Sequence, residues 1–276
     1  MMSRENMVSV AAMWHLSPKY QEHLDRLRHA ELDMVREWIK PYKKVLEIGG
    51  GSGYLASVLS SWGCEITCLD LPGSGSGIIR HFPVQEYDGR HLPFPDGQFD
   101  VVFSSNVLEH VEALDELLAE TRRVLNPDGV AVHFMPSSAW RWWTSVLHYV
   151  YVLRSAWWIL VGLRKGWPET SNEVQQARPR NDIRLHDCWA LIRRVMWAGA
   201  HGAFPNAFVE LYTFTMRRWL HVFETNGFCP VQVRPNRLFY TGCALLPKWS
   251  LDTRSRLSRI LGSACHIYVL RPAPDS

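Results

Sequence analysis

A glycine cluster, two spaced carboxylates and a small set of histidines are the positions where this sequence could do chemistry. Glu47-Ile48-Gly49-Gly50-Gly51-Ser52-Gly53 joins a short apolar run, Val45 to Ile48, to a helical one, Tyr54 to Trp62. Glycines at such a junction let the backbone turn sharply and approach a ligand with no Cβ in the way. Asp70 closes the next apolar run, and Asp88 follows in a polar stretch. Gly51-Ser52-Gly53-Tyr54-Leu55-Ala56, with Asp70 downstream, fits a dinucleotide-binding fingerprint. Glu47 favours a different ligand. A pyrophosphate seeks helix amides away from carboxylates, whereas a cationic group is stabilised by an acid beside the loop. Proton transfer would fall to histidine, whose unperturbed pKa is about 6.5. His110, His133, His148 and His201 are the candidates, and Glu210 follows His201 closely enough to partner it.

The surrounding motifs resemble a known family. The segment 45–53 is similar to the first motif of class I S-adenosylmethionine-dependent methyltransferases, an acid followed by spaced glycines. The run Tyr87-Asp88-Gly89-Arg90-His91-Leu92-Pro93-Phe94-Pro95-Asp96-Gly97-Gln98-Phe99-Asp100, then Ser104-Ser105-Asn106-Val107-Leu108-Glu109-His110-Val111, resembles the ubiquinone-biosynthesis-like, or type 11, group. Leu125-Asn126-Pro127-Asp128-Gly129 matches that group's turn before the fifth strand. The resemblance implies S-adenosylmethionine as cofactor and a Rossmann-like, seven-stranded sheet of order 3-2-1-4-5-7-6. It places Gly49, Gly51 and Gly53 along the methionine and ribose portion, with Glu47 at the amino-acid end. Asp70 would accept from both ribose hydroxyls and Leu71 would follow it along the cofactor. Asp88 would receive the adenine amino group, Gly89 would offer an amide at the ring edge, and Ser104 would lie near the methionyl end. His110 would have a packing or capping role. His201 with Glu210 is the first pair to mutate, because acceptor-binding groups come from the variable insert; His133 would face either the cleft or a packed helix. No metal-ligand spacing stands out, so metal-independent catalysis is expected.

Composition bounds these readings. The chain has 276 residues, 47% apolar and 21% charged, enough for a large core and incompatible with disorder. A net charge of +3 does not suit a dedicated nucleic-acid binder. Residues 137–200 nevertheless hold nine Lys/Arg against four Asp/Glu. The cysteines at 64, 68, 188, 229, 243 and 265 show neither a CxxC pair nor zinc spacing. With no continuous apolar run in Met1 to Asp25, reduced thiols in the cytoplasm are expected.

The elements that must hold the site read as alternating strands and helices, which implies a parallel, doubly wound sheet. An amphipathic helix from Ser17-Pro18 runs to Pro41, a helix spans Val107 to Leu125, and a strand spans Val130 to Met135. The expected division is an N-terminal helical segment at 1–41, a cofactor-binding core at 42–136, a helical insert or lid at 137–212, and the rest of the sheet at 213–276. Ala139 to Trp167 carries six of the thirteen tryptophans. A membrane span there would put the two halves of the sheet on opposite sides of the bilayer and is rejected. Three readings remain: peripheral contact with the inner membrane face through 139–163, a lid for a bulky or glycosidic substrate, or a helix buried against the sheet or a second copy. Arg141, Thr144, Ser145, His148 and Ser155 form one polar stripe on that helix. Over its full length the chain resembles bacterial methyltransferases of surface-polysaccharide and secondary-metabolite clusters. That implies methyl transfer to oxygen on a small molecule, glycan or lipid-linked acceptor. The rival classes are an NAD-dependent oxidoreductase and a non-catalytic, membrane-associated protein that keeps the fold.

Overall fold

The computed structural model describes residues 18–41, 43–74, 79–165, 201–242 and 249–274. The chain enters through helix α1 (Pro18–Asp33), then alternates β1 (Lys44–Ile48), α2 (Tyr54–Ser61), β2 (Glu65–Asp70), β3 (Gln85–Glu86) and β4 (Phe99–Ser105). A 3-10 turn at Leu108–His110 leads to α3 (Leu114–Val124) and β5 (Leu125–Pro136). The long helix α4 (Ser138–Lys165) follows, then α5 (Ala207–Thr213), α6 (Met216–Thr225), β6 (Phe228–Pro235), α7 (Leu251–Leu261) and β7 (Cys265–Pro272).

These strands form one seven-stranded sheet of order β3-β2-β1-β4-β5-β7-β6, the order implied by the resemblance. The sheet is mixed: β7 runs antiparallel to both β5 and β6, so the wholly parallel reading is corrected at this edge. Alternation along each strand divides the core in two. Leu46, Ile48 and Val102 face α3 and α6, where Leu117, Trp219 and Phe223 are buried. Val45, Val101, Phe103 and Val132 face the other way, onto Leu32, Leu55, Val58 and Leu59 of α1 and α2. A smaller cluster of Leu27, Trp140, Phe214, Leu238, Tyr240 and Cys265 joins α1, α4 and β7.

Two predicted helices are shorter than their apolar periodicity. α1 ends at Asp33, and the chain continues in tight turns in which Met34, Val35 and Trp38 donate three residues back. Val35 and Ile39 are still buried, so the same apolar spacing serves a turn series as well as a helix. The helix expected from Val107 breaks after His110, because Val111 adopts an extended backbone. That break turns Glu109 and His110 away from the axis of α3.

Helix α4 reverses the expected amphipathic sense. Arg141 is 2% exposed, the Thr144 hydroxyl accepts from the Gly242 amide at 3.0 Å, and Ser145 donates to its own helix at Arg141. The outer face instead carries Trp142 (54% exposed), Tyr149, Leu153 and Trp157 (67%). The polar stripe therefore faces protein and an aromatic stripe faces outward. Among the described residues no helix is long and apolar enough to cross a membrane. The polar stretch 166–184 and the cysteines at 188 and 243 lie outside the described residues.

Phe223 is fully buried; its ring stacks on His133 at 5.6 Å and lies 5.3 Å from Tyr268, joining α6 to β5 and β7. Phe223→Ala should destabilise the protein by about 3–5 kcal/mol in a denaturant titration. A loss below about 1 kcal/mol would mean that this contact does not hold α6 on the sheet.

Candidate active site

β1 lies between β2 and β4, in parallel register with both, so three strand ends open on one edge. The chain leaves β1 through Gly49, Gly51 and Gly53, with φ of 75°, 55° and 75°, all in the left-handed region. The Gly49 and Gly50 amides both donate to the Leu69 carbonyl, at 2.8 and 3.0 Å. Gly49 backs onto Val107, where a Cβ would come within 2.4 Å of that side chain. Over Gly51 a Cβ would meet nothing within 4 Å, leaving an open ledge.

Asp70 forms the rim of the ledge. One carboxylate oxygen accepts from the Gly51 amide and the other from the Leu71 amide, each at 2.7 Å. The Asp70 carbonyl accepts from the Tyr87 amide at 3.1 Å, which brings Asp88 and Gly89 alongside. Leu71 is 50% exposed, and a Cβ on Gly89 would lie 2.8 Å from it. Asp88 organises its own turn, accepting from the Arg90 and His91 amides at 2.8 and 2.7 Å and from the His91 ring at 3.0 Å. Its hydrogen bonds from His91, together with the Arg90 amide, hold the carboxyl down at about 2. The other edge of the loop is covered by a short segment: Arg80 donates to the Gly51 carbonyl at 3.1 Å and the His81 amide to Ser52 at 2.8 Å. Glu47 lies beneath the loop, 3% exposed, accepting from the Cys68 thiol at 3.3 Å. Burial pushes its carboxyl up to about 7 despite that bond and one from the Ala56 amide.

Beyond Val107, the turn after β4 meets the segment that leads into α5. The Ala203 amide donates to the Glu109 carbonyl at 2.8 Å, and a Cβ on Gly202 would come within 2.3 Å of that oxygen. Glycine is required there, and its close approach pins His201 beside Glu109. The His110 and His201 rings lie 4.8 Å apart, and Trp140 packs on the edge of His201 at 4.6 Å. Glu210 accepts from the His201 and Gly202 amides at 2.6 and 2.7 Å and pairs with Arg141 at 2.9 Å. Burial, with His110, Arg141 and Arg28 nearby, pushes His201 down to about 4. Burial lowers His110 and raises Glu109 to about 8.

The structure thus brings Gly49, Gly51, Gly53, Asp70, Leu71, Asp88 and Gly89 to one ledge, and His110 and His201 to one mouth beside it. The His201–Glu210 pair is close, but through backbone amides; Glu210 fixes the segment and does not orient the imidazole. His133 takes the packed-helix alternative. It is fully buried, its Nδ1 lies 2.7 Å from the Ser104 hydroxyl, and desolvation drives its pKa down to about 3. Ser104 is enclosed with it in the sheet interior, where neither side chain meets an open cleft. His148 lies along α4 against Tyr149.

Sequence reasoning missed three contributors. Glu109 stood in a quoted motif but was given no role of its own. Arg141 was read as part of a polar helix face. Arg28 donates to Glu31 at 2.6 Å and to the Tyr240 hydroxyl at 3.0 Å, and Tyr240 in turn reaches Glu31 and Cys265. No local pattern announces that network, since its members come from α1, β7 and the segment between β6 and α7.

The open ledge, the Asp70 carboxylate at its rim and the exposed apolar Leu71 could accommodate a ligand with a hydroxylated ribose and a flat base. Residues 20–233 match the family described as a methyltransferase domain. The chain is 30% identical over 125 residues to the malonyl-[acyl-carrier protein] O-methyltransferase of Enterobacter lignolyticus (strain SCF1), a match covering 44% of this chain and 50% of that protein. It is 31% identical over 116 residues to the ubiquinone/menaquinone biosynthesis C-methyltransferase UbiE of Cupriavidus pinatubonensis (strain JMP 134 / LMG 1197), covering 37% and 47%. The chain therefore spans half or less of the length of these two relatives. A solved S-adenosylmethionine-dependent methyltransferase from Archaeoglobus fulgidus superimposes with a TM-score of 0.51 over 90% of this chain and 94% of that one, at 18% identity, and shares the fold. The domain is a class I S-adenosylmethionine-dependent methyltransferase domain. This chain belongs to the methyltransferase-domain family.

Replacing Asp70 by Ala removes the acceptor of the Gly51 and Leu71 amides and, on the expectation that Asp70 grips the ribose, the cofactor's partner as well. Calorimetric titration with S-adenosylhomocysteine should then show binding weakened at least about tenfold, or about 1.4 kcal/mol. Unchanged affinity would remove Asp70 from the cofactor site.

Proposed function

We propose that the protein transfers the methyl group of S-adenosylmethionine to an oxygen of a small-molecule or saccharide acceptor, held between the glycine ledge and the His110–His201 mouth. When bound, the cofactor supplies an electrophilic methyl on a cationic sulfur. The chain's own residues bind, align and exclude water; alignment of two reactants can lower a barrier by about 7–11 kcal/mol. Asp70 would grip the ribose, Leu71 and Gly89 would flank the base with Asp88 near its amino group, and the glycines would admit the methionyl portion above Glu47. His201 would take the acceptor's hydroxyl proton, with His110 beside it. The observation that supports oxygen is this pair of half-exposed imidazoles, set one turn beyond the residue on which Gly49 rests.

The test is transfer of isotopically labelled methyl from S-adenosylmethionine to a panel of hydroxylated sugars and lipid-linked saccharides, with the linkage read by mass spectrometry. His201→Ala should slow transfer by about 10²–10⁴-fold with little change in cofactor affinity. Transfer to carbon or nitrogen alone, or full activity in that variant, would overturn the reading.

A lipid-linked acceptor and peripheral membrane contact are favoured by the outward aromatic stripe of α4, since tryptophan is enriched where an apolar surface meets water. In vesicle sedimentation, Trp142→Ser with Trp157→Ser should leave the protein folded and shift it from pellet to supernatant. A wild-type chain that never pellets would remove the membrane from the account.

A further inference from the structure

Glu109 is enclosed, with its side chain at zero exposure, yet neither carboxylate oxygen has a hydrogen-bond partner among the described residues. Leaving such a group unpaired is costly, and buried charges are ordinarily paired or bound to metal. The neighbouring Arg28 acts on it only through its charge and hydrogen-bonds Glu31 at 2.6 Å instead, while Arg141 pairs with Glu210 at 2.9 Å. What Glu109 faces instead is a pair of imidazole nitrogens, His110 Nε2 at 3.8 Å and His201 Nε2 at 4.0 Å from its Oε1. One ligand atom from each of the three residues can be chosen so that all lie within 4.8 Å of one another.

We propose that Glu109, His110 and His201 form a binding site for a divalent transition-metal ion of the zinc class, with its open coordination positions toward the cleft. Two imidazoles and one carboxylate are a donor set suited to zinc, and such three-residue sites leave a position for water or substrate. Bonds of about 2.0–2.2 Å place neighbouring ligand atoms about 3–3.5 Å apart, so closure needs movements of roughly 1 Å. The imidazoles, 44% and 38% exposed, can rotate by that much, while the carboxylate is held underneath. The backbone is already fixed for the purpose: the Ala203 amide and the Gly202 approach tie the His201 segment to the Glu109 carbonyl, and Glu210 holds the His201 amide. The site deepens the function proposed above and changes one role in it: with its Nε2 on the ion, His201 would be a ligand and not the proton acceptor, and the ion would lower the pKa of the acceptor hydroxyl, whose proton would pass to solvent.

The test uses the full chain, stripped with a chelator and titrated separately with Zn²⁺ and Co²⁺, without cofactor or acceptor. One ion per chain is expected by elemental analysis, with a visible Co²⁺ band typical of nitrogen and oxygen ligation and a rise in melting temperature. His110→Ala and His201→Ala should each weaken binding at least about a hundredfold, since even outer partners of metal ligands are worth about 10–100-fold. Both side chains are partly exposed, so these variants report even if Glu109→Gln fails to fold. Absence of saturable binding at millimolar ion, or affinity unchanged in both histidine variants, would overturn the site. If no metal binds yet His201→Ala still loses methyl transfer, the cation is excluded and the proton-transfer reading stands alone. If metal binds as expected but His201→Ala transfers at the wild-type rate, the site stands and the oxygen chemistry falls.

Discussion

The arrangement depends on β1 being the inner strand of a parallel triplet. Pairing of Val45–Ile48 with Ile66–Leu69 on one side and Val101–Ser104 on the other aligns three carboxyl ends. Ligands of open α/β sheets bind at such ends, where the direction of winding reverses. Everything that forms the ledge follows from that register. Leu69 supplies the carbonyl that bends the glycine loop, Asp70 receives the loop's amide, and Val107 fills the space that Gly49 leaves empty. A one-residue slip of β1 would exchange its two apolar faces and move each of these partners out of reach.

Charge pairing does for the periphery what strand register does for the centre. Three buried or nearly buried carboxylates, Glu31, Glu109 and Glu210, sit around the mouth, with Arg28 and Arg141 between them. Glu31 ties α1 to Asn236 and Tyr240, while Glu210 ties α5 to α4 and to the loop bearing His201. Such pairs cost desolvation and add little net stability, but removing one partner strands the other, so they specify one arrangement. Helix α1, α4 and α5 are thereby tied together around the mouth, which is assembled from chain segments far apart in sequence.

Helix α4 shows how packing overrides a helical wheel. Its polar residues are consumed by internal partners, Arg141 by Glu210 and Thr144 by Gly242, because a hydrogen-bonded polar group is tolerated inside. Trp142, Tyr149 and Trp157 are left on the surface along one stripe. The inner face fixes the wall of the mouth through Trp140, whose ring edge lies against His201, and the outer face leaves Trp142, Leu153 and Trp157 exposed.

The glycine loop, Asp70 and most strand positions were legible in the sequence, because they rest on local rules: apolar period, glycine at left-handed turns, and motifs whose spacing a strand–turn–helix unit imposes; the sheet order came only from the family resemblance. Position in depth was not legible. His110, His133 and His201 are alike as letters, and only the burial of β5 under Phe223 separates the interior one from the two at the mouth. Nor could spacing reveal that Glu210 holds amides rather than an imidazole, or that Glu109 lacks a partner. Those facts are set by which distant segments meet: the sequence by itself determined the apolar strand pattern and the glycine turn, while only tertiary packing, through desolvation and long-range charge pairing, decided which side chains line the mouth.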